Sequence, residues 1–191
     1  MINGNISVSV SQDKTKSLLE ALRALSRVDV LVGVPEENGS REGEKVTNAE
    51  LAFIHSKGSP IKGIPARPFV EPAIEDRDNS EMISVELRKA ASSALDGNTD
   101  GMSRALVRAG MQAQNAVRDW FTNPKNNWAP NSSYTILQKI KKKKDSTSRD
   151  IVRYVDEGGS LSDITGLEGM TKPMIDTDEL RKSVTYVIRE K

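Results

Sequence analysis

The chain has no cysteine and a single histidine, His55. A disulfide framework is therefore excluded, and one imidazole cannot supply the usual ligand set of a Cys/His zinc site. A carboxylate-bound hard cation stays open on composition alone. Aromatic residues make up only 4% of the 191 residues, which leaves few anchors for a large private core. Neither sign of charge is in excess: 28 Lys and Arg stand against 27 Asp and Glu, a net of +1. That balance gives no global attraction to nucleic acid or to an anionic membrane. No run approaches the ~18 consecutive apolar residues of a membrane span. Met1-Ile2-Asn3-Gly4 lacks the basic region and apolar stretch of a secretory signal.

The residues that are present suit one α+β domain over 1–191, a small mainly antiparallel sheet packed on helices. Ile6, Val8 and Val10 alternate with polar residues, the period of a half-buried strand. Leu18, Leu22 and Leu25 then recur at helical spacing behind a candidate cap at Asp13. Val28, Val30, Val32 and Val34 form the clearest strand, closed by Pro35. Residues 36–45 read as a loop, and 48–56 as a short helix stopped by Gly58. A long helical hairpin is expected at about 70–122. Its first arm carries Val70, Ile74, Ile83, Leu87, Ala90 and Ala94; its second carries Met102, Leu106, Ala109, Ala113, Val117 and Trp120. The polar run 76–80 is a place for the first arm to bend. A short helix is expected over 132–140, then a flexible loop insertion over 141–172 with one short strand at 151–155. Asp176 and Glu179 resemble a capping box, and 183–188 read as a last strand.

Several strings bear on chemistry. Between helix and hairpin, Ile64-Pro65-Ala66-Arg67-Pro68-Phe69 reads as a stiff extended arm. On that reading it presents Arg67 to a partner and buries Phe69, with Ile64 and Pro65 completing the contact; the plainer reading is a Pro-rich linker. Lys139, Lys141, Lys142, Lys143 and Lys144 fall within six positions and could touch a DNA backbone without reading its sequence. The plainer reading there is a solvated charge run. His55 has no Cys partner, and no Gly-x-Ser-x-Gly elbow exists in the sequence. Asp76, Asp78, Glu81 and Glu86 could hold Mg²⁺ for nuclease chemistry, but no Asp/Glu-x-Lys string accompanies them, and a solvated helix face is the simpler account. Neither a Walker loop nor a dinucleotide fingerprint occurs. No catalytic residue, cofactor or metal is assigned, and the chain reads as non-enzymatic.

Taken in order, a set of strings carries a resemblance. They are Val32-Gly33-Val34-Pro35; Asn48-Ala49-Glu50-Leu51-Ala52-Phe53-Ile54-His55 with Gly58; the Ile64–Phe69 string; Trp128-Ala129-Pro130-Asn131-Ser132 with Tyr134-Thr135-Ile136; and Pro173 to Leu180 with Ser183 to Tyr186. In that order they resemble the phage virion-morphogenesis or tail-completion family, the neck or head-tail joining proteins. The likeness runs from about Val28 to Tyr186. Members often carry Gly where this chain has Asp178, and an acidic and an aromatic residue where it has Ser56-Lys57. The resemblance implies an α+β structural protein of the virion neck or tail, present in the host cytoplasm during assembly. It implies a homo-oligomeric ring, a hexamer, set against neck, connector and tail-tube or terminator proteins, with genome DNA in its channel and no membrane partner. The Pro-rich arm and the insertion would then order on neighbours. Alternatives are a tail terminator or assembly factor at the tail end and, from a different class, a metal-dependent nuclease or DNA-binding protein.

Overall fold

A computed structural model describes residues 15–36, 46–174 and 178–191. The expected strand at 6–10, the Asp13 cap, most of the 36–45 loop and Asp176 of the capping box lie outside the described residues.

The chain is α+β. In order it forms α1 (Thr15–Ser26), β1 (Val28–Gly33), α2 (Asn48–Lys57), α3 (Val70–Glu75), α4 (Arg77–Leu95) and α5 (Thr99–Trp120). Then follow α6 (Ser133–Lys143), α7 (Ser146–Asp156), α8 (Glu168–Thr171), α9 (Glu179–Ser183) and β2 (Thr185–Glu190). The two strands pair antiparallel, Val28 opposite Glu190 and Gly33 opposite Thr185. Strand alternation turns Val28, Val30 and Ile188 onto Ala90, Ala105 and Leu106 of α4 and α5.

Helices α4 and α5 are joined by three residues and fold back on one another, with Arg108 Nε donating to Glu86 Oε2 at 2.6 Å. The sequence explains the contact. α5 buries Ala105, Leu106, Ala109, Gly110, Ala113, Ala116, Val117 and Trp120, a stripe at helical period. Most of these are small, so the helix can lie close to Ala90 and Ala94 of α4 and to the sheet. Gly110 is required there, since a Cβ would sit 2.2 Å from Tyr186 Cδ2.

The first hairpin arm is not one helix. Asp76 leaves the helical region at φ −55°, ψ 131°, and separates α3 from α4. Its carboxylate accepts from Asp78 N and caps the second helix, while Asn79 Nδ2 donates to Ala73 O beneath the break. The polar run that interrupts the apolar period is thus the joint itself.

The larger core lies at one end of α5. Phe69, Ala73, Val117, Trp120, Phe121, Leu180 and Val184 are buried together, with Trp128 at their edge. The rings of Phe69 and Phe121 are 4.9 Å apart, and Phe121 meets Trp128 edge-on at 5.8 Å. Four of the five Phe and Trp side chains are spent in this one place, and Phe53 stays exposed. Two arginines fasten the C-terminal strand to it: Arg118 donates to Val184 O and Lys182 O, and Arg181 Nε donates to Arg118 O.

Two expectations are corrected in 141–172. The short strand at 151–155 is part of helix α7, and the stretch read as a loop insertion carries α7 and α8. Ile151, Val152 and Val155 are β-branched and crowded, which imitates a strand. Asp145 overrides that preference by accepting from Ser148 N at 2.7 Å, so that the helix starts there and buries Ser148, with Ile151 and Val152 turned inward. α6, α7 and α8 form a satellite with its own core of Ile136, Ile140 and Leu167. Asn131 closes its base: its N–H donates to Thr171 O, and Nδ2 to Met170 O and Lys172 O. At the far end, α9 begins at Asp178, whose φ of 60° is the left-handed conformation that glycine adopts without cost.

Candidate functional site

The Pro-rich segment is laid onto the body of the protein. Gly58 ends α2 at φ 73° and lets the segment pass so close that a Cβ would stand 2.7 Å from Ala66 N. Ser59 and Ile64 then pair across a tight turn, Ser59 N to Ile64 O at 2.8 Å and the reverse at 2.9 Å. From there the backbone is extended and its sides alternate: Ala66 and Pro68 face solvent, Arg67 and Phe69 face inward.

This corrects the expectation that the segment is an arm presenting Arg67. Burying Phe69, only 1% exposed, forces Arg67 to the same side, where it is 7% exposed. Arg67 N donates to His55 O at 2.7 Å, and Nη2 donates to Ala129 O at 3.0 Å. Pro68 O accepts from Trp128 Nε1 at 3.2 Å. Of the four arm residues, Phe69 is core, Arg67 is floor, Ile64 is half-buried, and Pro65 alone is exposed. The residues that do project are Ile61, fully exposed at the turn, and Lys62 beside it.

Burial pulls the pKa of Arg67 below the ordinary arginine value, yet guanidinium stays charged under all working conditions. Among the described residues no carboxylate pairs with it, and its buried Nε donates to no acceptor. A buried donor left unmade costs about 1–3 kcal/mol. The side chain borders a groove of about 830 Å³ between the Pro-rich segment and the start of α6. His55, Lys62, Ile64, Tyr134, Lys139 and Met174 form its walls. Ser132 caps α6 by accepting from Thr135 N, and both residues line the groove, so the positive end of the helix faces it.

The lysine run ends α6. Lys141, Lys142, Lys143 and Lys144 are exposed, and Lys139 is half-buried in the groove wall. Ile140 between them is wholly buried in the satellite, so the five cations are divided by a core residue and do not form one stripe. In the last helical turn they also complement the helix dipole.

The acids at and along α4 are taken up by cations: Asp76 and Asp78 share one ammonium, Lys125 Nζ, with Asp78 at 3.3 Å, and the others pair separately. Asp76 binds Lys125 Nζ at 2.7 Å, Glu81 pairs with Arg88, and Glu86 pairs with Lys89 and Arg108. The Lys125 ammonium holds the Asp76 carboxyl below its usual range, and Lys89 and then Arg108 do the same for Glu86. Among the described residues no group of three or more His, Asp or Glu could hold a metal ion. The groove was invisible in the sequence, because its walls come from residues 55, 62–67, 130–139 and 174. The only sequence signal was an arginine held between two prolines two positions before a core phenylalanine.

No family profile, no curated protein and no solved structure matches this chain.

Proposed function

We propose that this chain is a structural protein of a tailed phage or prophage virion, forming a homo-oligomeric ring at the neck that completes or joins the tail. The observation that carries this reading is where the resembling strings meet. Val32 and Val34 of the first string, Ala52 of the second, Phe69 of the third, Trp128 of the fourth, and Leu180 and Val184 of the last all reach one core. They are separated by up to about 150 positions of sequence, so the strings that carry the resemblance are brought together by the fold. The reading is also supported by apolar surface left on the single chain. Leu18, Leu19 and Leu22 of α1, and the cross-strand pair Leu31 and Val187, each remain about 40–50% exposed. A ring would cover such positions with neighbouring copies, and Lys141 to Lys144 are the cations it could turn toward DNA.

The test is cryo-electron microscopy and mass spectrometry of purified particles. The reading expects the chain in mature virions as a symmetric ring at the head-tail junction, and expects its deletion to leave separate heads and tails. A ring at the distal end of unattached tail tubes would move it to the terminator role. Absence from virions would remove the structural reading.

A further inference from the structure

From the buried arginine and the helix start that share one groove, we infer that the Arg67 groove is a docking site for an acidic peptide segment of a partner protein, one that places a carboxylate on Arg67 beside an apolar side chain. The inference concerns the purified chain and stands or falls independently of where the protein works.

Three observations carry it. Arg67 is more than nine-tenths buried, borders the groove, lacks a carboxylate among the described residues, and keeps an Nε–H with no acceptor. The guanidinium fork matches the two oxygens of a carboxylate, so an incoming acid would satisfy both the charge and the idle donor. Second, the capped start of the eleven-residue helix α6 opens onto the same space and adds positive potential. Third, the wall sets apolar and aromatic side chains, Ile64, Pro65, Pro130, Tyr134 and Met174, beside the cations Lys62 and Lys139. Such a wall accepts an apolar side chain next to a carboxylate. Lys62 is exposed at the groove and Lys139 lines its wall, but Arg67 lies on the floor, where a slender carboxylate side chain reaches it and a DNA backbone does not. Recessed charge beside apolar wall residues is the chemistry of a peptide anchor.

The experiment is an NMR titration of the full chain, following the Arg67 Nε–H and the amides of Ser133 to Thr135. The probe is an acetylated, amidated Leu-Glu-Leu peptide. The controls are its Leu-Gln-Leu counterpart, inorganic phosphate and a short DNA duplex. The inference expects saturable shifts at Arg67 and the α6 start with the Glu peptide, and none with the Gln peptide. Lys62→Glu, an exposed change that leaves the fold intact, is expected to weaken binding about tenfold, and Lys62→Arg to preserve it. Equal shifts with phosphate or the duplex would overturn the peptide assignment in favour of a phosphate site. No shift at Arg67 with any probe would overturn the site altogether. Asp176→Asn supplies a further check: if it alone moves the Arg67 Nε–H in the free protein, the chain's own carboxylate fills the groove, and the inference fails.

Discussion

Of the large side chains that lose all contact with solvent, Phe69, Val117 and Val184 belong to the main body, and Ile140 alone to the α6–α8 satellite. The main body gathers its scarce aromatics at one end of α5 and fills the other end with alanines. The satellite has no ring in its core and relies on Ile136, Ile140 and Leu167, edged by Ile151, Val152, Leu161, Ile164 and Met170. The difference is one of cooperativity. A core tied to sheet, hairpin and C-terminal segment must open as a whole, whereas a three-residue core closed by one asparagine can open by itself.

The sharpest test of that contrast is a pair of truncations. Phe69→Ala is expected to cost about 3–5 kcal/mol and to lower the global urea midpoint. Ile140→Ala removes a comparable volume at about 2–5 kcal/mol, but its effect should stay in the satellite. Hydrogen exchange should quicken in 133–171 while amides of α5 and β2 keep their protection. Equal acceleration throughout both regions would make the molecule one cooperative unit and break the comparison.

A smaller effect probes how tightly the main body is closed. Gly110→Ala should help an isolated helix by about 1 kcal/mol. Here the new methyl meets the root of the Tyr186 ring, and overpacking of about 1–3 kcal/mol should win. Thermal unfolding of the single variant and of Gly110→Ala with Tyr186→Ser measures this: the double variant should recover part of the loss. If the single variant is as stable as the parent, β2 is not pressed against α5 as described.

The weakest effect is acid sensitivity. Asp29, Asp76 and Glu86 in the main body are held below their usual pKa, chiefly by hydrogen bonds from Lys191, Lys125 and Lys89 respectively. Asp145 in the satellite is lowered by the Ser148 backbone. A carboxyl whose folded pKa is depressed contributes stability above its unfolded value, and that contribution is lost as pH falls through the folded value. The urea midpoint should therefore hold down to about pH 4 and decline below it. The decline should be steeper for probes in the main body, where three of the four groups lie. Asp76 and Glu86 are largely covered, but their cationic partners are about half exposed to solvent, so each pair contributes little. A midpoint flat from pH 5 to pH 3 would show that they contribute nothing.

Legibility in the sequence follows the same division. The main body was readable because long helices and valine alternation repeat their period many times: 28–33, 48–57, 99–120 and the last strand were expected within a few residues. The satellite was not. Its helices are short, its core residues β-branched, and Gly158, Gly159, Gly166 and Gly169 look like loop punctuation. A capping aspartate decided between helix and strand, a local hydrogen bond worth more than the pattern beside it. The candidate site failed to show for another reason. Arg67 could be read as polar and presented until its register with Phe69 was known, and register is a property of the fold.

The register of the sheet sets a schedule for synthesis. Val28 pairs with Glu190, about 160 positions later in the chain. On the ribosome β1 is among the first described segments to emerge and β2 is the last, so the valine edge waits unpaired while everything between is made. Neither the Leu180–Val184 part of the main core nor the Arg118 clasp can form until the residues from 180 onward have emerged. Nascent chains would therefore carry an open, β-branched edge until β2 has been made. A copy stalled or truncated before Thr185 lacks the one strand that pairs with that edge among the described residues, which opens it to another chain.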